Sequence, residues 1–334
     1  AQTASDNPLD DTAFFYFVRT LKLEPGDSLS FDNYFRPDRN PVVVRVLERD
    51  TIDVPAGRFP TIIIQPIIKG GLFDGNKNGR MSMHVLVFIP NKATRPVPCF
   101  LKHSFHNTRE DDFDPAILRP GKLKNGWPLG EFLDRGYGFC AVYHEDLIRH
   151  NEVEFLHSIH KLFYPEGQSF PKAHEWGVIS TCAWGAMRAM DYLETDQDID
   201  HNRVAVMGHS KMGKTALWTA AQDERFALAI SAQSGCAGAA LWRRKSGETL
   251  KKMVTRFPYW LCRNAWKFVE QEDDLPVDQH MLLACIAPRP VYVHSSVKDT
   301  WADPRGEYLS AYHAGEVYRL LGQKTLLMEE GSPP

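Results

Sequence analysis

The run Val204-Ala205-Val206-Met207-Gly208-His209-Ser210-Lys211-Met212-Gly213-Lys214, continuing into Thr215-Ala216-Leu217-Trp218-Thr219-Ala220-Ala221, constrains this chain more than any other segment. The apolar, β-branched start reads as a buried strand, and the alanine-rich end reads as a helix. Between them the backbone must bend sharply, with a serine at the bend. Gly208 lies two residues before Ser210 and Gly213 three after it. The pattern G-x-S-x-x-G is therefore offset by one from the G-x-S-x-G of a nucleophile elbow. A glycine at 208 leaves room behind a strained turn. The helix start directs backbone N–H groups and a positive dipole end at the serine oxygen, where an oxyanion would form.

Around this element the chain alternates strands with helices. Residues 42–46 and 61–64 are strand-like and flank a turn at Pro55-Ala56-Gly57. Residues 81–89, 98–103, 137–143, 226–230, 290–294 and 325–329 also read as strands, and 176–193 and 304–320 as helices. Residues 107–130 read as loop and 145–173 as a long irregular connection. Such alternation predicts an α/β fold with a mainly parallel sheet and helices on both faces, a three-layer sandwich. No repeat or linker interrupts it, so residues 1–334 are expected to form a single domain, with 1–35 as an N-terminal extension. Ligands of such sheets sit beyond the carboxyl ends of the strands. Ser210, Gln233-Ser234-Gly235 and residues 295–303 each follow a strand end and are expected to converge there.

Composition narrows the partners. A formal charge of −3 over 334 residues does not suggest a nucleic-acid partner. No apolar run approaches the roughly 20 residues that cross a bilayer, so no membrane partner is expected. The polar start Ala1-Gln2-Thr3-Ala4, without methionine, suits a secreted or periplasmic protein whose signal peptide has been removed. The six cysteines (Cys99, Cys140, Cys182, Cys236, Cys262, Cys285) are widely spaced with no C-x-x-C pair, so no metal site is expected. Cys99 and Cys140 read as small buried hydrophobes.

A serine becomes a nucleophile through a base, and the base needs a carboxylate to fix its tautomer and offset its charge. In α/β-hydrolases the chain order is serine, acid, histidine. Asp299, after His294-Ser295-Ser296-Val297-Lys298, sits where that acid belongs, while Asp303 fits the cap of the helix at 304–320. No histidine lies beyond His313, which falls inside that helix. The base is therefore expected from a C-terminal segment beyond Pro334. His280 reads as structural, and His209 as pointing away from the cleft.

Gly208-His209-Ser210-Lys211-Met212-Gly213-Lys214, Asp223-Glu224-Arg225-Phe226-Ala227, Ser234-Gly235-Cys236-Ala237-Gly238-Ala239-Ala240-Leu241 and Arg243-Arg244-Lys245-Ser246-Gly247-Glu248-Thr249 together resemble the bacterial glucuronoyl esterases of carbohydrate esterase family 15. Leu275-Pro276-Val277-Asp278-Gln279-His280, Ala287-Pro288-Arg289-Pro290 and Asp299-Thr300-Trp301-Ala302-Asp303-Pro304 extend the resemblance over most of residues 80–330. It implies an α/β-hydrolase that cleaves the ester between glucuronic acid branches of xylan and lignin alcohols, without metal or cofactor; a monomer is expected. It further implies Ser210 as nucleophile, Lys211 as the basic residue supporting the oxyanion, Lys214 and Glu248 on sugar hydroxyls, and Trp301 beside the uronate ring. Two positions depart from the family pattern. Many members carry arginine where this chain has Lys211, a point charge without the guanidinium fork. Fungal and many bacterial members carry glutamate where this chain has Gln233, and a neutral amide cannot offset an imidazolium, so that work falls to Asp299. Two other readings stay open: an acetyl or feruloyl esterase on the same fold, and a catalytically impaired homologue that only binds carbohydrate.

Overall fold

The computed structural model describes residues 28–31, 42–54, 57–68, 83, 85–104, 128–148, 158–165, 167–168 and 170–326, with those before 83 as backbone alone. The described residues fall into two compact units, one drawn from 1–99, 104–170 and 188–201, the other from 100–103, 171–187 and 202–334.

In the first unit, β1 (Ser28–Phe31), β2 (Val42–Val54) and β3 (Gly57–Ile68) form an antiparallel sheet in that order. β2 and β3 pair from Val42 opposite Ile68 to Val54 opposite Gly57, with a bulge between Val46 and Glu48. The β-branched runs thus pair as expected and extend further than their apolar centres. β4 (Val85–Phe88) pairs antiparallel with β6 (Gly138–Tyr143), Phe88 facing Phe139. All six residues of β6 are buried. Helix α1 (Leu129–Asp134) lies beside it, with the Phe132 and Phe139 ring centroids 5.2 Å apart. The expected loop at 107–130 lies mostly outside the described residues, and its last two residues already belong to α1.

β5 (Val97–Ser104) and β7 (Ile199–His209) complete the larger sheet with β8 (Leu228–Ala232) and β9 (Val291–His294), in the order β4-β6-β5-β7-β8-β9. Helix α2 (Val178–Leu193) is the one expected at 176–193. In the second unit β7, β8 and β9 run parallel, with Gly208 opposite Ser231 and Ala232 opposite His294. Their carboxyl ends therefore finish level with one another. The helices here are α3 (Lys211–Gln222), α4 (Leu250–Arg256), α5 (Gln279–Ala284) and α6 (Pro304–Leu320). α6 occupies the interval its sequence predicts, and Glu307, Ser310, Ala314 and Tyr318 form its buried stripe. The strand expected at 325–329 is not seen at Thr325 and Leu326, and its remainder lies outside the described residues.

The stretch between β8 and α5 contains no strand and is tied down by side chains that bind backbone. The buried Asp278 carboxylate accepts the N–H groups of Trp242 (2.7 Å) and Gln279 (2.8 Å) and pairs with the Arg243 guanidinium (3.2 Å). The Gln279 side chain donates to the Gly238 carbonyl. These bonds satisfy backbone groups that regular structure would otherwise pair.

Candidate active site

Ser210 adopts φ 55° and ψ −124°, a strained conformation for a residue with a side chain. Local bonds hold it there. Its N–H donates to the Ala232 carbonyl (2.9 Å), and its own carbonyl accepts from Gly213 (2.9 Å) and Lys214 (3.1 Å) as α3 begins. The two glycines have different causes. A Cβ on Gly208 would stand 2.0 Å from the Met212 carbonyl oxygen, a clash with backbone in the first turn of α3. A Cβ on Gly213 would meet Ser234 Cβ at 3.0 Å and Ser231 Oγ at 3.1 Å, where α3 crosses the end of β8. The offset spacing follows from this: one glycine clears the helix start, the other clears β8. The serine is half-buried, and its hydroxyl has no hydrogen-bond partner among the described residues.

The second loop leaves β8. Gln233 adopts φ 49°, its N–H donates to the His294 carbonyl (2.8 Å), and its side-chain amide donates to Asp299 Oδ2 (3.0 Å). Asp299 Oδ1 accepts the Ala302 N–H (3.3 Å). Beside it, the fully buried Glu307 of α6 accepts the Gly235 N–H (2.9 Å) and the hydroxyls of Ser234 (3.2 Å) and Ser295 (2.5 Å). One carboxylate thus joins the turn after β8 to the turn after β9. Asp303 precedes α6 as expected, yet its side chain does not cap the helix. It receives the Arg244 guanidinium instead, at 2.8 and 3.1 Å. A bidentate charged pair outbids a cap bond to one N–H.

The third piece is the 247–248 segment. Gly247, at φ 63°, lets the chain pass so close to the Trp301 loop that a Cβ would sit 2.4 Å from the Trp301 carbonyl oxygen, and the Glu248 N–H donates to that carbonyl (2.8 Å). The Glu248 carboxylate meets the Lys214 ammonium at 2.8 Å, both side chains buried. Lys214 also donates to the carbonyls of Ser234 and Cys236 (2.6 Å), so its three donors are spent on the protein. Glu248 Oε1 keeps no partner among the described residues. Trp301 stays 42 % exposed.

Lys211 is buried, with its ammonium 5.7 Å from the centre of the Trp260 ring. Its charge is felt by His103 at the end of β5 and by Cys182 of α2. Burial first, then Lys211, press the His103 pKa down to about 4. The Cys182 backbone opposes that shift, but neither ring nitrogen has a partner in hydrogen-bond geometry among the described residues.

Ser210, Gln233, Asp299, Lys214, Glu248 and Trp301 are thus linked through backbone and side-chain bonds around the ends of β7, β8 and β9. Among the described residues no imidazole touches Asp299. His280 and His313 lie together with ring centroids 6.0 Å apart, and His209 is exposed. Sequence reasoning missed Glu307 and Arg244. Glu307 had a signal, because it falls on the small-residue stripe of α6 with Ser310 and Ala314. Arg244 is 59 residues from its partner and had none. No described helix is long and apolar enough to cross a membrane, and no described cluster of His, Cys, Asp and Glu could hold a metal. All six cysteines are unpaired, with Cys99 and Cys140 buried.

A strand, a strained serine and a helix, with a carboxylate after a later parallel strand, define the α/β-hydrolase class. Residues 158–322 match the family model "Glucuronyl esterase, fungi", and residues 2–92 match "Protein of unknown function (DUF3108)". A carbohydrate esterase from an unknown prokaryotic organism is 41 % identical over 273 residues, covering 74 % of this chain and 62 % of the relative. The 4-O-methyl-glucuronoyl methylesterase 1 of Phanerochaete chrysosporium is 29 % identical over 65 % of this chain and 48 % of its own length. The chain therefore spans about half to three-fifths of these curated relatives. Among solved structures, a promiscuous CE15 esterase from a marine bacterial metagenome shares 34 % identity, covering 94 % of this chain and 79 % of that one, with a TM-score of 0.70. A glucuronoyl esterase from Solibacter usitatus shares 33 % identity over 87 % and 78 %, with a TM-score of 0.72. The chain belongs to carbohydrate esterase family 15.

Proposed function

We propose that this chain is a serine esterase that hydrolyses esters of glucuronic acid or its 4-O-methyl form in lignin–carbohydrate material. The observation that carries the reading is the fixing of two loops to the end of one strand. Ser210 bonds to Ala232, while Gln233, the next residue, bonds to Asp299. The names of the fungal relatives, 4-O-methyl-glucuronoyl methylesterases, supply the substrate class.

In this reading Ser210 Oγ attacks the ester carbonyl carbon and its proton passes to an imidazole from outside the described residues. Asp299, held by Gln233 and Ala302, orients that imidazole and offsets its charge. The tetrahedral oxyanion is met by the Lys211 N–H at the start of α3 and by the charge of the Lys211 ammonium. Collapse expels the alcohol, which takes the proton from the imidazolium, and water then cleaves the acyl-enzyme by the same steps. Glu248 Oε1 accepts hydroxyls of the uronate ring, and Trp301 packs beside it. Lys214 acts on sugar hydroxyls through Glu248, because its own donors are occupied. An exported, monomeric protein fits a wall-polymer substrate.

Comparing kcat/KM for benzyl glucuronate with that for p-nitrophenyl acetate tests the substrate class. The uronate ester should be favoured by at least about ten-fold. Equal turnover would support the second reading, a broad-range esterase, which the description of one similar structure as promiscuous favours. Turnover of neither, with oligosaccharide still bound, would identify a binding homologue.

A further inference from the structure

Helix α4 turns two unlike faces outward and inward. Leu250, Met253 and Val254 are buried against Cys236 and Ala237, whereas Lys252 and Arg256, four residues apart, share the exposed side. The Lys252 ammonium lies 5.4 Å from the centre of the Trp301 ring, and the Arg256 guanidinium carbon lies 6.0 Å from it. Arg256 also lies 5.3 Å from the Phe257 ring, which stacks on Trp260 at 3.8 Å. Two like charges at this spacing repel. Neighbouring cations relieve such repulsion with carboxylates: Lys251 has Glu270 at 2.7 Å and Lys245 has Asp273 at 2.6 Å. Lys252 and Arg256 have no carboxylate partner among the described residues, and the Lys252 ammonium bonds only the Gly247 carbonyl (2.7 Å). A guanidinium without a carboxylate partner keeps its N–H fork for a bidentate acceptor. Two cations with no carboxylate partner among the described residues, both over one exposed indole, suit an anion carried beside a ring.

We propose that Lys252 and Arg256, beside the Trp301 indole, form a subsite for the free carboxylate of a sugar ring next to the one whose ester is under attack. The carboxylate bridges the two cations, while Trp301 keeps its place beside the ring whose ester is cleaved. Trp301 is two residues from Asp299, and its carbonyl accepts the Glu248 N–H, so the subsite borders the residues assigned to hydrolysis. The occupant is a second, unesterified uronic acid of the same glycan, a choice that rests on the esterase reading. An aromatic acid presents the same carboxylate on a different ring, and the test separates the two.

The full chain carrying Ser210→Ala is titrated calorimetrically with three probes. These are a xylo-oligosaccharide bearing a free glucuronate, the same oligosaccharide with that carboxyl methyl-esterified, and ferulate. The free acid should bind at least about ten-fold tighter than either other probe, a gap of about 1.4 kcal/mol. Adding Lys252→Gln and Arg256→Gln should erase the gap, and raising the salt to about 0.5 M should narrow it. Both side chains are exposed, so an unchanged melting curve is expected and checks the fold. Equal affinity for acid and ester overturns the proposal, as does an acid preference that survives the double substitution. Tighter binding of ferulate overturns the assignment to glycan. Because Ser210 is replaced, none of these results depends on turnover. Failure of the wild type to hydrolyse uronate esters would sink the esterase reading alone.

Discussion

Asp299 has both carboxylate oxygens engaged, Oδ1 by the Ala302 N–H and Oδ2 by the Gln233 amide. Removing the amide should leave substrate binding intact and loosen the acid. Gln233→Leu is accordingly expected to lower kcat about ten-fold with little change in KM, measured in steady-state kinetics on a glucuronate ester. An unchanged kcat would show that Ala302 alone suffices. The Lys214–Glu248 pair makes a contrasting claim about stability. Its members are 1 % and 5 % exposed, so Glu248→Ala strands a buried ammonium. The loss should be about 3–5 kcal/mol in denaturant unfolding. Lys251 and Glu270 lie in solvent, and breaking their contact should leave the unfolding midpoint in place.

The elbow makes a prediction about its two glycines. Gly208→Ala drives a methyl into the Met212 carbonyl, and backbone at the first turn of α3 cannot retreat without releasing Ser210. Gly213→Ala meets chiefly side-chain atoms, at 3.0 to 3.2 Å. Thermal unfolding should therefore show Gly208→Ala destabilised by about 3 kcal/mol or more, and Gly213→Ala by about 1–2 kcal/mol or less. The reverse order would mean that the offset motif has another cause. Elements with strong local pattern were legible in the sequence. α6 filled 304–320, and β9 and the elbow strand fell within a few residues of their apolar runs. α4 and α5 were not legible, because they span only seven and six residues, too few for helical periodicity to emerge. The stretch around them is ordered by bonds between residues over 30 positions apart, such as Asp278 with Trp242. No local signal carries such a pairing. The same limit applies to the site: Ser210 and Asp299 are singled out by position after strands and Trp301 by the family resemblance, whereas the partners of Lys214 are set by tertiary packing.

Acid should weaken the whole molecule through one ring. His103 is fully buried and neutral down to about pH 4, whereas in the unfolded chain it takes a proton near its ordinary value of 6.5. Above pH 6.5 both states are neutral and nothing changes. Between 6.5 and 4 only the unfolded chain binds the proton, so stability falls as pH falls, by up to about 3 kcal/mol. Unfolding measured for the wild type and His103→Leu at pH 7 and pH 4 should show the variant gaining about that much relative to the wild type at the lower pH. A constant difference would place the ring in contact with water.

The measurement that bears most directly on the whole account is hydrolysis of a glucuronate ester by the full chain with and without Ser210→Ala, each checked by its melting curve. A folded variant whose kcat falls by at least about a thousand-fold is expected. A folded variant that keeps a greater share of its activity would remove Ser210 as the nucleophile and leave the strained bend without its assigned purpose.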